Sequence, residues 1–252
     1  MLTNPTVEKL REMKLAGMAE ALSEQLSDPD ASAMTFEDRL GLLVDREDIT
    51  RANRRLRARL TQAKLRLSAC VEDIDYHSRR GLSKTVILGL ASGRWLGEHL
   101  NILITGPTGV GKTYLACALA QQACRQGRRA LYLRLPRLCH DLEIARADGS
   151  YHKQLAKLAR HDLLVLDDWG LAPLSPAGRR DLLEILDDRY QRRSTLITSQ
   201  LPVGKWHEYL DDPTLADAIL DRVIHNAHKI ELSGDSLRKQ KGESLTNGSE
   251  TD

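Results

Sequence analysis

Between residues 6 and 26, apolar side chains recur at mixed three- and four-residue steps: Val7, Leu10, Met13, Leu15, Met18, Leu22 and Leu26. That spacing predicts one amphipathic helix, closed by Pro29 in Ser27-Asp-Pro-Asp-Ala31. A second, longer helix, continuous or with one break, is predicted from about Thr35 to Ser68, with Thr35 as its cap and Asp38 as the acid three residues on. Ile49, Ala52, Leu56, Leu60, Ala63 and Leu67 form one apolar stripe along its later half. Residues 69–98 carry weak signals of either kind. Val86–Leu90 and Trp95-Leu96 are apolar enough for burial there, with Trp95 read as a core residue.

From Asn101 onward short apolar runs alternate with helical segments. Strands are predicted at Asn101–Thr105, Ala130–Leu135, Asp162–Asp168, Ser194–Gln200 and Ala227–Leu232. Helices are predicted over residues 112–124 and 137–146, the latter started by Pro136, and over Tyr151–Arg160. Others follow Ser175 and span Leu215–Val223 after the entry Asp211-Asp-Pro-Thr214. Strand–helix alternation of this kind predicts an α/β fold around a central parallel sheet, preceded by a small all-helical domain. The expected boundaries are a helical domain at 1–70, a linker at 71–98, an α/β domain at 99–240 and a disordered tail at 241–252. The tail is expected because the chain from Lys239 is polar and without periodicity.

Composition narrows the partners. A net charge of +2 over 252 residues is close to neutral, so any basic surface must come from local clustering. One Phe in the whole chain argues against recognition of stacked bases on aromatic platforms. Cys70, Cys117, Cys124 and Cys139 show no C-x-x-C pairing and no zinc spacing, and are read as reduced thiols. No signal peptide and no apolar run of membrane-spanning length is found, so a cytoplasmic protein without a membrane partner is expected.

Clustering does occur on the long helix. Arg51, Arg54, Arg55, Arg57, Arg59, Lys64 and Arg66 occupy its polar side, with no acid between residues 49 and 71. Helical projection places Arg55, Arg59 and Arg66 within about one-eighth of a turn. A solvated face is the ordinary reading of such a run, but it would interleave Glu for pairing. Bidentate Arg–phosphate contacts favour a nucleic-acid backbone, with an acidic protein as the other candidate.

The sharpest motif is Gly106-Pro-Thr-Gly-Val-Gly-Lys-Thr113, a full match to G-x-x-x-x-G-K-[ST], standing between a predicted strand and a predicted helix. Pro107, Thr108, Gly109, Val110 and Gly111 make up its body. Its backbone N–H groups and the helix N-terminus suit phosphate oxygens. Lys112 is expected on the β/γ-phosphates of ATP and Thr113 on Mg²⁺. Asp167 and Asp168 end a buried strand downstream; Asp167 is expected to orient Mg²⁺ and Asp168 to polarise the attacking water. Thr198, Ser199 and Gln200 end the next strand, where any of them could meet the γ-phosphate or the lytic water.

The order of these motifs resembles the AAA+ ATPases of the initiator and helicase-loader clade. The phrases Leu133-Arg-Leu-Pro-Arg-Leu138, Val165-Leu-Asp-Asp-Trp-Gly170, Thr195-Leu-Ile-Thr-Ser-Gln-Leu-Pro202 and Asp217-Ala-Ile-Leu-Asp-Arg-Val-Ile-His-Asn226 are similar to IstB-type transposition helper ATPases, relatives of the DnaC loaders. So is the opening Lys14-Leu-Ala-Gly-Met-Ala-Glu-Ala-Leu22, and the likeness runs from about residue 5 to 240. It implies that residues 99–240 are an AAA+ ATPase domain, with Ser199 at the sensor-1 position. It also implies Arg222 as an arginine finger completing the neighbouring subunit's site, and Arg238 as sensor 2. Further implications are slow hydrolysis, since Asp168 stands where many AAA+ proteins have Glu, and a DNA-tracking segment from Arg137 to Lys157, with Arg137, Arg146, Lys153 and Lys157 compatible. The expected assembly is a ring or helical homo-oligomer on double-stranded DNA, with ATP at subunit interfaces, serving a transposase. A replicative helicase as partner, a nucleotide-gated scaffold, and a small-molecule P-loop kinase are the competing readings.

Overall fold

A computed structural model of the chain describes residues 4–76 and 80–237. It divides into two compact units, residues 1–58 and 59–252, with the boundary inside a helix. The expected division after residue 70 is therefore not where the chain separates.

The first unit is helical. Helix α1 spans Pro5–Glu12 and α2 Ala16–Ser27, so the single helix expected over 6–26 is two. The break falls at Lys14, whose φ of 61° leaves the helical region. Helix α3 spans Phe36–Ala63, and Thr35 Oγ1 accepts from the Asp38 N–H at 3.2 Å as a cap. Helices α2 and α3 meet closely at Gly17, where a Cβ would stand 2.7 Å from the Arg46 carbonyl oxygen. At that point the buried Glu47 accepts from the N–H groups of Gly17 (2.7 Å) and Met18 (3.2 Å) and pairs with Arg51 at 2.7 Å. One carboxylate thus satisfies two orphan donors in the first turn of α2.

Burial alone would push the Glu47 carboxyl up, but the Arg51 guanidinium and the two N–H groups hold it below its ordinary value of 4.5. A lowered folded-state pKa means stabilisation that is full above the unfolded pKa and lost as pH falls through the folded one. Glu47→Gln should cost the first unit about 2 kcal/mol at neutral pH. Urea unfolding at pH 7 and pH 4 checks this: the wild type should lose stability on acidification and the variant much less.

The second unit carries a five-stranded, all-parallel sheet: β1 Asn101–Thr105, β2 Ala130–Arg134, β3 Leu163–Trp169, β4 Ser194–Ser199 and β5 Ala227–Glu231. The strand order is β2-β3-β4-β1-β5. Strands β1, β3 and β4 are buried along nearly their whole length, which explains their continuous apolar runs. The connections are α6 Lys112–Arg125, α7 Leu135–Ala147, α8 Tyr151–Ala159, α9 Pro176–Arg189 and α11 Pro213–Ile224. Ser175 and Asp212 cap α9 and α11. The parallel α/β fold behind a helical segment is thus as expected.

Three differences bear on the site. The long helix stops at Ala63, because Lys64 takes a left-handed φ of 51°. Residues beyond it do not continue the helical projection, and of the expected stripe Ala63 is fully buried while Ile49 is exposed. The expected linker contains α4 Lys84–Ala91 and α5 Arg94–Gly97, with Trp95 buried and its Nε1 donating to the Leu90 carbonyl. Finally, α10 Trp206–Leu210 gave no sequence signal; it brings Trp206 against Trp169, ring centroids 4.9 Å apart. The tail expected at 241–252 lies outside the described residues.

Candidate functional site

Strand order decides what meets at the carboxyl edge of the sheet. With β4 between β1 and β3, the end of β4 sits between the loop after β1 and the acids ending β3. Into that edge opens a cleft of about 590 Å³, lined among others by Thr108, Lys112, Thr113, Asp167, Asp168 and Gln200. Its size is within the usual range for small-ligand sites.

The loop itself is held from two sides. Gly106 has φ 144°, and a Cβ there would meet the Leu232 carbonyl oxygen at 2.2 Å, so only glycine fits. Arg80, buried, donates from Nη1 to the Val110 carbonyl (3.2 Å) and from Nη2 to the Asp75 carbonyl. The Leu237 N–H donates to the Gly109 carbonyl at 3.1 Å. Lys112 opens α6 and donates to the carbonyls of Gly106 and Pro107, both at 2.7 Å. An ammonium at the N-terminus of a 14-residue helix makes this loop a site for anions.

Asp167 is buried and accepts hydrogen bonds from three hydroxyls: Thr113 Oγ1 (3.0 and 3.2 Å to its two oxygens), Tyr132 Oη and Thr198 Oγ1. The donor set fits Mg²⁺, a hard cation that takes hydroxyl and carboxylate oxygens. Bound there with a triphosphate, the ion would neutralise charge on the phosphate oxygens. Burial pushes the Tyr132 phenol up, and the Asp167 carboxylate adds to it, so Tyr132 stays a neutral donor.

Asp168 points elsewhere. The β3–β4 register slips by one residue between Leu166 and Trp169, and Asp168 sits in this bulge with φ 64°. The bulge turns its carboxylate to Arg134, at 2.6 Å. Trp169 resumes the strand, fully buried and paired with Ser199. Parallel register puts Arg134 opposite Asp167, so the last residue of β2 faces the acid pair. Sequence reading missed Arg134 and Tyr132; placing β2 beside β3 would have been the signal.

At the end of β4, Thr198, Ser199 and Gln200 all line the cleft. Ser199, expected at the sensor-1 position, donates to the Trp169 carbonyl (2.8 Å) and accepts from the Leu201 N–H (3.0 Å). Its hydroxyl is thereby engaged in the bend after the strand. Gln200 instead accepts from Thr108 Oγ1 at 2.8 Å and so touches the loop directly, while Thr198 serves Asp167.

Arg222 is not among the residues lining the cleft; its Nε donates to Asp187 Oδ1 at 2.6 Å and Nη1 to the Ala218 carbonyl. Arg238 lies outside the described residues. The basic face of the long helix is largely dispersed. Arg51 pairs with Glu47, Arg59 Nε donates to the Cys124 carbonyl (2.9 Å), and Arg66 lines the cleft. Arg54 and Arg55 remain exposed on α3. On α7, Arg137 is exposed, 3.9 Å from Asp141; Arg146 instead lies over the Tyr151 ring at 3.8 Å and pairs with Asp181. Lys153 is exposed on α8.

Comparison with known proteins fits this geometry. A profile of the IstB-like ATP binding protein family matches residues 8–244. The insertion sequence ATP-binding protein y4pL of Sinorhizobium fredii is 53% identical over 241 residues, covering 96% of this chain and 98% of the relative. The IS1162 ATP-binding protein of Pseudomonas fluorescens is 53% identical over 203 residues, 80% of this chain and 88% of the relative. Among solved structures, the DnaC helicase loader superposes with a TM-score of 0.57 at 20% identity, covering 68% of this chain and 99% of that one, a likeness of fold.

Proposed function

Because the chain belongs to the IstB-like ATP binding protein family of insertion sequences, we propose that it is a DNA-binding AAA+ ATPase that assists transposition. It binds ATP with Mg²⁺, assembles as a homo-oligomer on double-stranded target DNA, and recruits or stimulates a transposase. The observation that carries the reading is the convergence of Lys112, Thr113, Asp167 and Asp168 on one cleft beside a phosphate loop.

In this reading the loop and Lys112 bind the triphosphate, and Thr113 with Asp167 holds the metal. Asp168, released from Arg134, orients the attacking water. Arg134 then governs when hydrolysis can occur, in keeping with slow turnover. The Leu237–Gly109 contact supports a sensor-2 role for Arg238, one residue further on. Arg222, which is not part of the lining of its own cleft, suits a finger offered to a neighbour. Arg54, Arg55, Arg137 and Lys153 are the exposed cations proposed to meet phosphates of the duplex. No helix among the described residues is long and apolar enough to cross a membrane, and the proposed place of action is the cytoplasm, with the DNA.

Electron microscopy of the protein with duplex DNA and either ATP, a non-hydrolysable analogue or ADP tests the proposal. Rings or filaments on duplex are expected with ATP and with the analogue, and dispersed protomers with ADP. Protomers that stay solitary on duplex under all three conditions would overturn it. Binding to a hexameric helicase without stimulation of strand transfer would move the partner assignment to helicase loading.

A further inference from the structure

Arg66 occupies a position that the phosphate loop and the acid pair do not account for. Its guanidinium stands 3.9 Å from Asp167 Oδ2 and 4.0 Å from Asp168 Oδ2, near Tyr132, whose hydroxyl donates to Asp167. Both ion-pair distances are too long for hydrogen bonds, so neither carboxylate is its direct partner. Asp168 is satisfied by Arg134 at 2.6 Å, and Asp167 by three hydroxyls. A guanidinium has five N–H donors in a planar fork, which suits it to two phosphate oxygens at once. Arg66 thus has more donors than these contacts use, it is 44% exposed, and it borders the cleft.

Its placement is also on a particular side. Tyr132 is on β2, so Arg66 reaches the acids from the β2 side of β3, opposite the polar end of β4. The backbone explains how it gets there. Lys64 turns the chain out of α3 with its left-handed φ, two residues before Arg66.

We infer that Arg66 binds the terminal phosphate of the bound nucleoside triphosphate from within the same chain, and so gives the site its preference for triphosphate over diphosphate. The inference rests on the reading of the cleft as an ATP site. A cation that meets only the γ-phosphoryl oxygens contributes to binding ATP and nothing to binding ADP. Lys112, by contrast, serves both nucleotides through the β-phosphate. The planar fork can meet two phosphate oxygens at once, so a point charge at this position substitutes poorly for it.

The test is equilibrium titration of fluorescent ATP and ADP analogues with Mg²⁺ into wild type, Arg66→Ala and Arg66→Lys. Thermal unfolding without nucleotide is measured alongside. Arg66→Ala should weaken ATP binding about tenfold and leave ADP binding within about twofold. Arg66→Lys should fall between the two. Equal losses for both nucleotides would make Arg66 a structural residue, and unchanged ATP affinity would remove it from the site; either overturns the inference. If Arg66→Ala does not fold, Arg66→Gln, which keeps a long polar side chain but no charge, carries the test, since an unchanged ATP-to-ADP affinity ratio in it overturns the inference. Wild type that binds neither nucleotide would instead sink the ATP reading itself.

Discussion

Lys112→Ala should weaken ATP binding by about a hundredfold and remove ATP-dependent assembly at micromolar protein. The side chain holds a compact ammonium at the mouth of the loop, between the carbonyls of Gly106 and Pro107. In the proposed reading those neutral acceptors give way to β- and γ-phosphate oxygens, and charge-assisted bonds of this kind contribute about 1.5–3 kcal/mol each. The backbone cradle and the α6 terminus remain, so residual binding is expected rather than none. Fold should be spared: the buried face of α6 is built from residues such as Leu115, Leu119 and Ala123, not from Lys112. Calorimetric titration with Mg²⁺ and a non-hydrolysable analogue reads the affinity, and sedimentation reads the assembly. Loss of assembly follows by mass action if ATP binds at the subunit seam. A variant that keeps wild-type affinity, or assembles on ATP as before, would contradict the assignment of the loop.

How much of this was legible beforehand depends on how local the cause is. The loop, its strand and its helix were readable because Gly106–Thr113 carries its conformation and chemistry in consecutive residues. Caps at Thr35, Ser175 and Asp212 were readable for the same reason. Helix breaks were not: Lys14 and Lys64 leave the helix in the left-handed region, and lysine is no turn signal. With α3 ending at Ala63, the projection that grouped Arg55, Arg59 and Arg66 lost its basis. Contacts set by strand register were hidden too. Arg134 faces Asp167 because β2 lies beside β3, and Asp168 turns aside because one residue bulges there. The same bulge brings the Trp169 carbonyl to Ser199, engaging the hydroxyl that the family likeness implies at the sensor-1 position. Local patterns named the site's parts, and the sheet decided which of them touch.

Arg222→Ala is where the in-chain geometry and the proposed mechanism make different demands. Within one chain Arg222 ties α11 to α9 through Asp187, at 2.6 Å and partly exposed, and a tie of that kind contributes at most about 1 kcal/mol to stability. As a finger it would stabilise charge on a neighbour's γ-phosphoryl group, an effect of about a thousandfold or more on turnover. The variant should therefore bind ATP nearly as wild type does, melt within a few degrees of it, and hydrolyse about a thousandfold more slowly. Mixing separates the two roles. Asp168→Asn keeps Arg222 but cannot turn over, so each variant alone is inactive. In a randomly mixed head-to-tail assembly, about a quarter of the interfaces pair an intact cleft from Arg222→Ala with an intact finger from Asp168→Asn. Turnover should then recover to about a quarter of the wild-type rate, provided each interface acts independently. A mixture as inactive as its components would leave Arg222 as a tie between helices, and the site would have to be completed by another cation.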